Sequence, residues 1–141
     1  MDAKVTWHKG LSFTGSAEGS GYSLPLGADP ALGGLNDGLR PLELFAVGLA
    51  GCTGMDVISI LEKKRQPVTA FEVKVHAIQA EDHPRVFIRV TIEYVVTGKG
   101  VDREAVERAV NLSETKYCPA QAMLRTAVPI ESMITIVDRG A

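Results

Sequence analysis

Apolar and polar positions alternate at the start of the chain. Val5 and Trp7 fall on one side, and Leu11 and Phe13 follow after His8, Lys9 and Gly10. Period-two patterning across a short polar gap predicts two strands joined by a hairpin turn. Residues 14–21 are rich in Gly and Ser, and residues 22–26 read as a third short strand that Pro25 confines to a sheet edge. Residues 27–38, GADPALGGLNDG, are loop chemistry throughout.

The period then changes. Residues 40–65 read RPLELFAVGLAGCTGMDVISILEKKR. Pro41 suits the first turn of a helix, where its missing donor costs nothing. The segment is apolar on nearly all sides until Glu62, which predicts a central helix covered on most faces. Ala46, Gly48, Ala50, Gly51 and Gly54 allow close approach of other backbones, although each Gly costs ~1 kcal/mol relative to Ala in a helix interior. Lys63, Lys64 and Arg65 sit where a helix C-terminus favours cations.

Alternation returns after Pro67. Phe71, Val73, Val75 and Ala77 share one face, and Val86, Ile88, Val90, Ile92 and Tyr94 repeat it beyond a turn at Glu81, Asp82, His83 and Pro84. The two runs predict a long antiparallel hairpin. A helix is expected past Gly100, capped by Asp102, with Ala105, Val106, Ala109 and Val110 inward. A short helix should start after Cys118, and residues 130–137 close the chain as a strand. The order βββ-α-ββ-αα-β makes an α+β fold. No linker divides it, so residues 1–141 read as a single domain.

Composition changes this picture little. Hydrophobic residues make up 45% of the 141 and charged residues 23%, ordinary proportions for a globular domain. The net charge of -2 leaves no basic footprint for nucleic acid. The N-terminus lacks the apolar core of a signal peptide. The uncharged run 44–55 is shorter than a bilayer span and is bracketed by Glu43 and Asp56. These features predict a cytoplasmic protein with no membrane partner, in a compartment where thiols rest reduced.

The candidate chemistry lies in two cysteines, Cys52 and Cys118, set 66 residues apart. A disulfide framework would be denser, and a metal site would bring ligands in closer pairs. The spacing suits two remote segments that bring one thiol beside another, where one reacts with an oxidant and the second closes a disulfide on it. Cys118 precedes Pro119 and a run of helix formers, so it is a candidate N-cap whose thiol pKa the helix end would lower. Cys52 lies in an apolar run, where burial would raise its pKa. The plainer reading makes Cys52 a core residue and Cys118 incidental, since free cysteines are often buried.

Other chemistries lack support. His8, His76 and His83 form no ligand set, so neither a metal nor a bound cofactor is expected. No C-x-x-C pair and no G-x-S-x-G context occurs, and Gly33 and Gly34 do not open a helix after a strand. Glu43 and Asp56 interrupt the apolar helix, and carboxylates there need a hydrogen-bonding or cationic partner. Arg40 is the nearest cation in sequence. Glu43 precedes Cys52 by nine residues, roughly 13 Å along a continuous helix and on its opposite side. Either the helix breaks at Gly48 or Gly51, or Glu43 serves Cys52 of a second chain. Asp56, one turn beyond Cys52, reads as structural. Thr53 and Gly54 would shape the approach to the thiol, and Tyr117 would pack.

At its two cysteine segments the chain resembles the OsmC/Ohr family of thiol-dependent peroxidases. The likeness lies in residues 40–65, with a P-x-E-L-type start and a small-residue helix before the cysteine, and in SETKYCPAQAMLR, residues 113–125. The resemblance implies an OsmC-like fold, antiparallel sheets around a central apolar helix, and an intertwined homodimer with two sites at its interface. It makes Cys52 the peroxidatic cysteine and Cys118 the resolving one. It also implies organic hydroperoxide substrates and an external dithiol reductant, lipoyl groups among them. The best-known branch has an arginine in its N-terminal strands. Here no arginine precedes Arg40, which becomes the candidate cation for the Cys52 thiolate, with Glu43 orienting it. The family glutamate commonly lies ten residues before the cysteine. Leu42 holds that position here and Glu43 follows it, which resembles a less characterised branch. Two other readings remain: a non-catalytic module that binds an apolar small molecule, and a thiol redox sensor.

Overall fold

In the computed structural model, which describes residues 1–140, the N-terminal alternation becomes three strands, β1 (Ala3–Lys9), β2 (Ser12–Ala17) and β3 (Ser23–Leu26). They form an antiparallel sheet in the order β1-β2-β3. Trp7 pairs with Phe13 across the hairpin, whose turn contains Gly10 at φ 52°. Pro25 lies on β3, at the sheet edge, where a missing donor is tolerated. The loop after β3 is pinned by Ser12, whose hydroxyl donates to Asp37 at 2.6 Å. Residues 1–45 form one compact unit and, among the described residues, 46–140 a second.

The long apolar run forms helix α1 (Pro41–Lys63), with no break at Gly48 or Gly51. In the second unit it is followed by β4 (Ala70–Gln79), β5 (Phe87–Thr97), α2 (Arg103–Leu112), α3 (Pro119–Leu124) and β6 (Ile130–Val137). β4 and β5 pair antiparallel, as their alternation predicts. A register irregularity at Ile78 and Gln79 shifts the pairing so that Val86 and Ile88 are exposed, while Val90, Ile92, Tyr94 and Val96 are fully buried.

The expectation of antiparallel sheets needs correction at β6, which pairs parallel to β5. A parallel neighbour needs a crossover of a dozen residues or more, and residues 98–129, with both short helices, provide it. Across the mixed sheet, Val73, Tyr94 and Ile134 align, as do Val75, Ile92 and Ser132. This face packs with Leu49, Val57 and Leu61 of α1 and Val106, Ala109 and Val110 of α2 in one hydrophobic core. The opposite face carries Lys74, Glu93, Arg89 and Glu131, which form ion pairs.

The expected coverage of α1 is also corrected. Its buried residues are Leu49, Thr53, Gly54, Val57 and Leu61, while Val47 and Met55 are exposed, Met55 at 74%. In one chain the helix is covered on a single side. Only one of its glycines is used for close packing: a Cβ on Gly54 would lie 3.2 Å from Val73, whereas Gly48 and Gly51 face open space. At 23 residues, with an 18-residue stretch of mean hydropathy 1.9, α1 is long and apolar enough to cross a bilayer, unlike the shorter uncharged run read from sequence. Its polar residues Thr53 and Asp56 are instead hydrogen-bonded within this chain.

Candidate active site

Cys118 is placed by two local devices. Residues Ser113–Tyr117 form a π-helical turn after α2, and the Cys118 N–H donates to the Ser113 carbonyl at 2.9 Å. Such turns occur mostly at single positions and often at functional sites. Cys118 then caps α3 with extended backbone, and its sulfur accepts the Gln121 N–H at 3.4 Å. The N-cap expectation therefore holds in geometry.

Its electrostatic consequence does not. Burial pushes the Cys118 thiol up to about 11, against the lowering from the Gln121 and Ala120 N–H groups, and the adjacent Cys52 thiol raises it further. Cys118 is 3% exposed, and a helix of one and a half turns offers little to offset lost solvation of a thiolate. At neutral pH Cys118 is a thiol.

Cys52, on α1, lies beside Cys118, near enough for its thiol to raise the Cys118 pKa. Both are free, Cys118 buried and Cys52 partly exposed. Two cysteines distant in sequence thus meet, one open to solvent and one shielded.

Arg40 and Glu43 belong to the first unit. The Glu43 carboxylate accepts the Arg40 backbone N–H at 2.9 Å, the reciprocal half of a capping box at the start of α1. The Arg40 guanidinium lies 3.6 Å from Asp29. Glu43 therefore meets Arg40 at its backbone, and the guanidinium has Asp29 as its partner.

Behind the cysteines lies a buried polar cluster that the sequence reading did not assemble. The Thr53 hydroxyl is 2.7 Å from Tyr94 Oη and 2.8 Å from Ser113 Oγ. Ser113 donates to Asp56 at 2.9 Å. The Gln121 amide donates to Thr53 at 3.0 Å and to Tyr94 at 3.2 Å, and its carbonyl oxygen accepts from Arg125 at 2.7 Å. Burial raises the Tyr94 pKa, partly opposed by its hydrogen bond to Thr53. The available signal was polar residues within apolar runs: Thr53 in α1, and Gln121 between Ala120 and Ala122. Asp56, expected to bond backbone or a cation, accepts instead from the Ser113 hydroxyl. Tyr117, expected to pack, is half exposed, with the Lys116 ammonium 5.3 Å from its ring centre. With Met55, Asp56, Ile60, Lys63 and Leu112 it lines an open cavity of about 460 Å³.

The geometry can support thiol oxidation followed by disulfide closure. Comparison with known proteins shows the family. Residues 34–133 match the family model for OsmC-like proteins. The chain is 36% identical over 137 residues to protein YhfA of Escherichia coli K12, covering 97% of this chain and 98% of YhfA. A solved structure of a hypothetical protein from Aquifex aeolicus shares 28% identity with TM-score 0.84, covering 98% of this chain and 96% of that one. The organic hydroperoxide resistance protein OhrB of Bacillus subtilis shares the fold at 24% identity and TM-score 0.60, over 95% of this chain and 98% of OhrB.

Proposed function

The chain belongs to the OsmC-like family, and from that premise we propose that it is a thiol-dependent peroxidase acting on organic hydroperoxides through Cys52 and Cys118. The observation that carries the reading is the meeting of the two thiols, one accessible and one buried. The accessible Cys52 thiolate attacks the peroxide O–O bond, giving Cys52 sulfenic acid and, after protonation, an alcohol. Cys118 then condenses with it, forming the S–S bond and releasing water. An external dithiol in a reducing compartment resets the pair by thiol–disulfide exchange. The fold shared with OhrB supports hydroperoxides as the substrate class.

The functional unit we propose is a homodimer. With α1 unbroken, Glu43 stands nine residues from Cys52, and a site using both draws them from two copies. Two glycines facing open space and the exposed Val47 and Met55 supply the surface a second copy would cover. Arg40 is our candidate for the cation that holds the Cys52 thiolate, a role for which its guanidinium must leave Asp29.

Peroxide consumption with a dithiol reductant tests the assignment. Cys52→Ser should abolish it. Cys118→Ser should leave Cys52 oxidisable to a sulfenic acid while stopping turnover. A Cys52→Ser protein as active as the parent contradicts the mechanism. One observation favours a redox sensor instead: Cys118 is held as a thiol, which slows closure. Disulfide formation without steady-state turnover would select that reading.

A further inference from the structure

The polar cluster behind the cysteines has a fixed direction. A carboxylate accepts only, so the Ser113 hydroxyl must donate to Asp56. With that proton engaged, Ser113 accepts from Thr53, and Thr53 in turn accepts from Tyr94. At the other end Arg125 donates only, so it fixes the sense of the Gln121 amide. The carbonyl oxygen faces Arg125, and both amide hydrogens are left for Thr53 and Tyr94. Thr53 thus gives one hydrogen bond and accepts two, its full capacity. No buried side-chain nitrogen or oxygen among the described residues lacks a partner.

This cluster joins the two segments that carry the thiols. Thr53 follows Cys52 directly on α1, and Gln121 is the residue whose N–H donates to the Cys118 sulfur. The Gln121 side chain and backbone therefore hold both segments, across 68 residues of sequence to Thr53. We propose that Gln121 is a positioning residue which, through Thr53 and clamped by Arg125, sets the spacing at which Cys118 closes a disulfide on Cys52. The inference rests on the two-cysteine reading for its place in catalysis, but it concerns the ease of closure whatever the oxidant.

Closure is read without peroxide. In mixtures of oxidised and reduced dithiothreitol the protein dithiol becomes the Cys52–Cys118 disulfide as oxidised dithiothreitol is reduced, with two electrons exchanged. Thr53→Val keeps the side-chain shape and removes the hydroxyl. It should lower the equilibrium constant for closure about tenfold, ~30 mV for this couple. Thr53→Ser should return it to within about twofold of the parent, since the hydrogen bonds are remade. Arg125→Gln, a change at an exposed residue, frees the amide and should lower the constant by about threefold. Folded Thr53→Val with the parent constant overturns the proposal. If Thr53→Val is unfolded by circular dichroism, Arg125→Gln decides: a threefold drop supports the proposal and the parent value overturns it. A parent that closes in these mixtures but consumes no hydroperoxide removes the peroxidase reading and leaves the positioning role to be judged by the variants. A parent that forms no Cys52–Cys118 disulfide in any mixture overturns both.

Discussion

The Gln121 amide donates to the Thr53 hydroxyl at 3.0 Å, and both residues are fully buried. Residues from opposite ends of the second unit are thereby joined beside its two thiols. A buried donor left without a partner costs roughly 1–3 kcal/mol. Gln121→Leu should therefore lower unfolding free energy by about that amount, because Thr53 and Tyr94 lose a donor and Arg125 an acceptor. Urea denaturation monitored by circular dichroism measures it, and a midpoint equal to the parent's would show the cluster to be energetically idle.

Alkaline pH should weaken the fold through Cys118. Its folded pKa, about 11, stands above the ordinary thiol value of 9.0. Above pH 9.0 the unfolded chain releases this proton while the folded chain keeps it, so the unfolded state is favoured as pH rises. The stability from this thiol is complete below pH 9.0 and is lost as pH rises through about 11. Burial raises Tyr94 as well, which acts in the same sense above pH 10.0. Cys118→Ser should flatten the decline between pH 9 and 11 in urea titrations, and an identical slope in parent and variant would contradict the assignment.

Closure should respond to pH in the opposite direction. Only the thiolate attacks, and with a pKa of about 11 the Cys118 thiolate is scarce at neutral pH. The rate at which Cys52 sulfenic acid disappears should climb by nearly tenfold per pH unit between pH 7 and 9. Stopped-flow mixing with dimedone trapping follows it. A rate independent of pH would mean that Cys118 is deprotonated by a group in the site.

The glycines of α1 separate the isolated chain from a dimer. A Cβ on Gly48 or Gly51 would meet nothing within 4 Å in this chain, and Ala is better than Gly in a helix by about 1 kcal/mol. In a monomer Gly51→Ala should stabilise by that amount. If a second copy packs there, the added methyl should shift the dimer toward monomer in sedimentation equilibrium. A stabilised variant with an unchanged association state would remove this helix face from the interface.

Hydrophobic period made most of the fold legible. The switch from two to nearly four and back placed the strands and the long helix in order, because β4, β5 and α1 each bury one face, although the bulge in β5 turned Val86 and Ile88 outward. The parallel pairing of β6 was not legible, since period marks a strand's buried side and not its direction. The two cysteines stood out in the sequence, and the fold brings them together. The cluster of Thr53, Tyr94, Ser113 and Gln121 was not legible, because each is a lone polar residue in an apolar run until the fold brings them together. The Cys118 cap was readable from Pro119, but its protonation depends on tertiary burial.

We propose that Cys52 and Cys118 form one redox couple. The most direct test counts free thiols on the purified protein before and after one equivalent of cumene hydroperoxide, with intact mass. A redox couple loses both thiols and a mass of two hydrogens, with one peptide pair linking Cys52 to Cys118. Two unreacted thiols at unchanged mass would contradict it and favour a module that binds an apolar ligand.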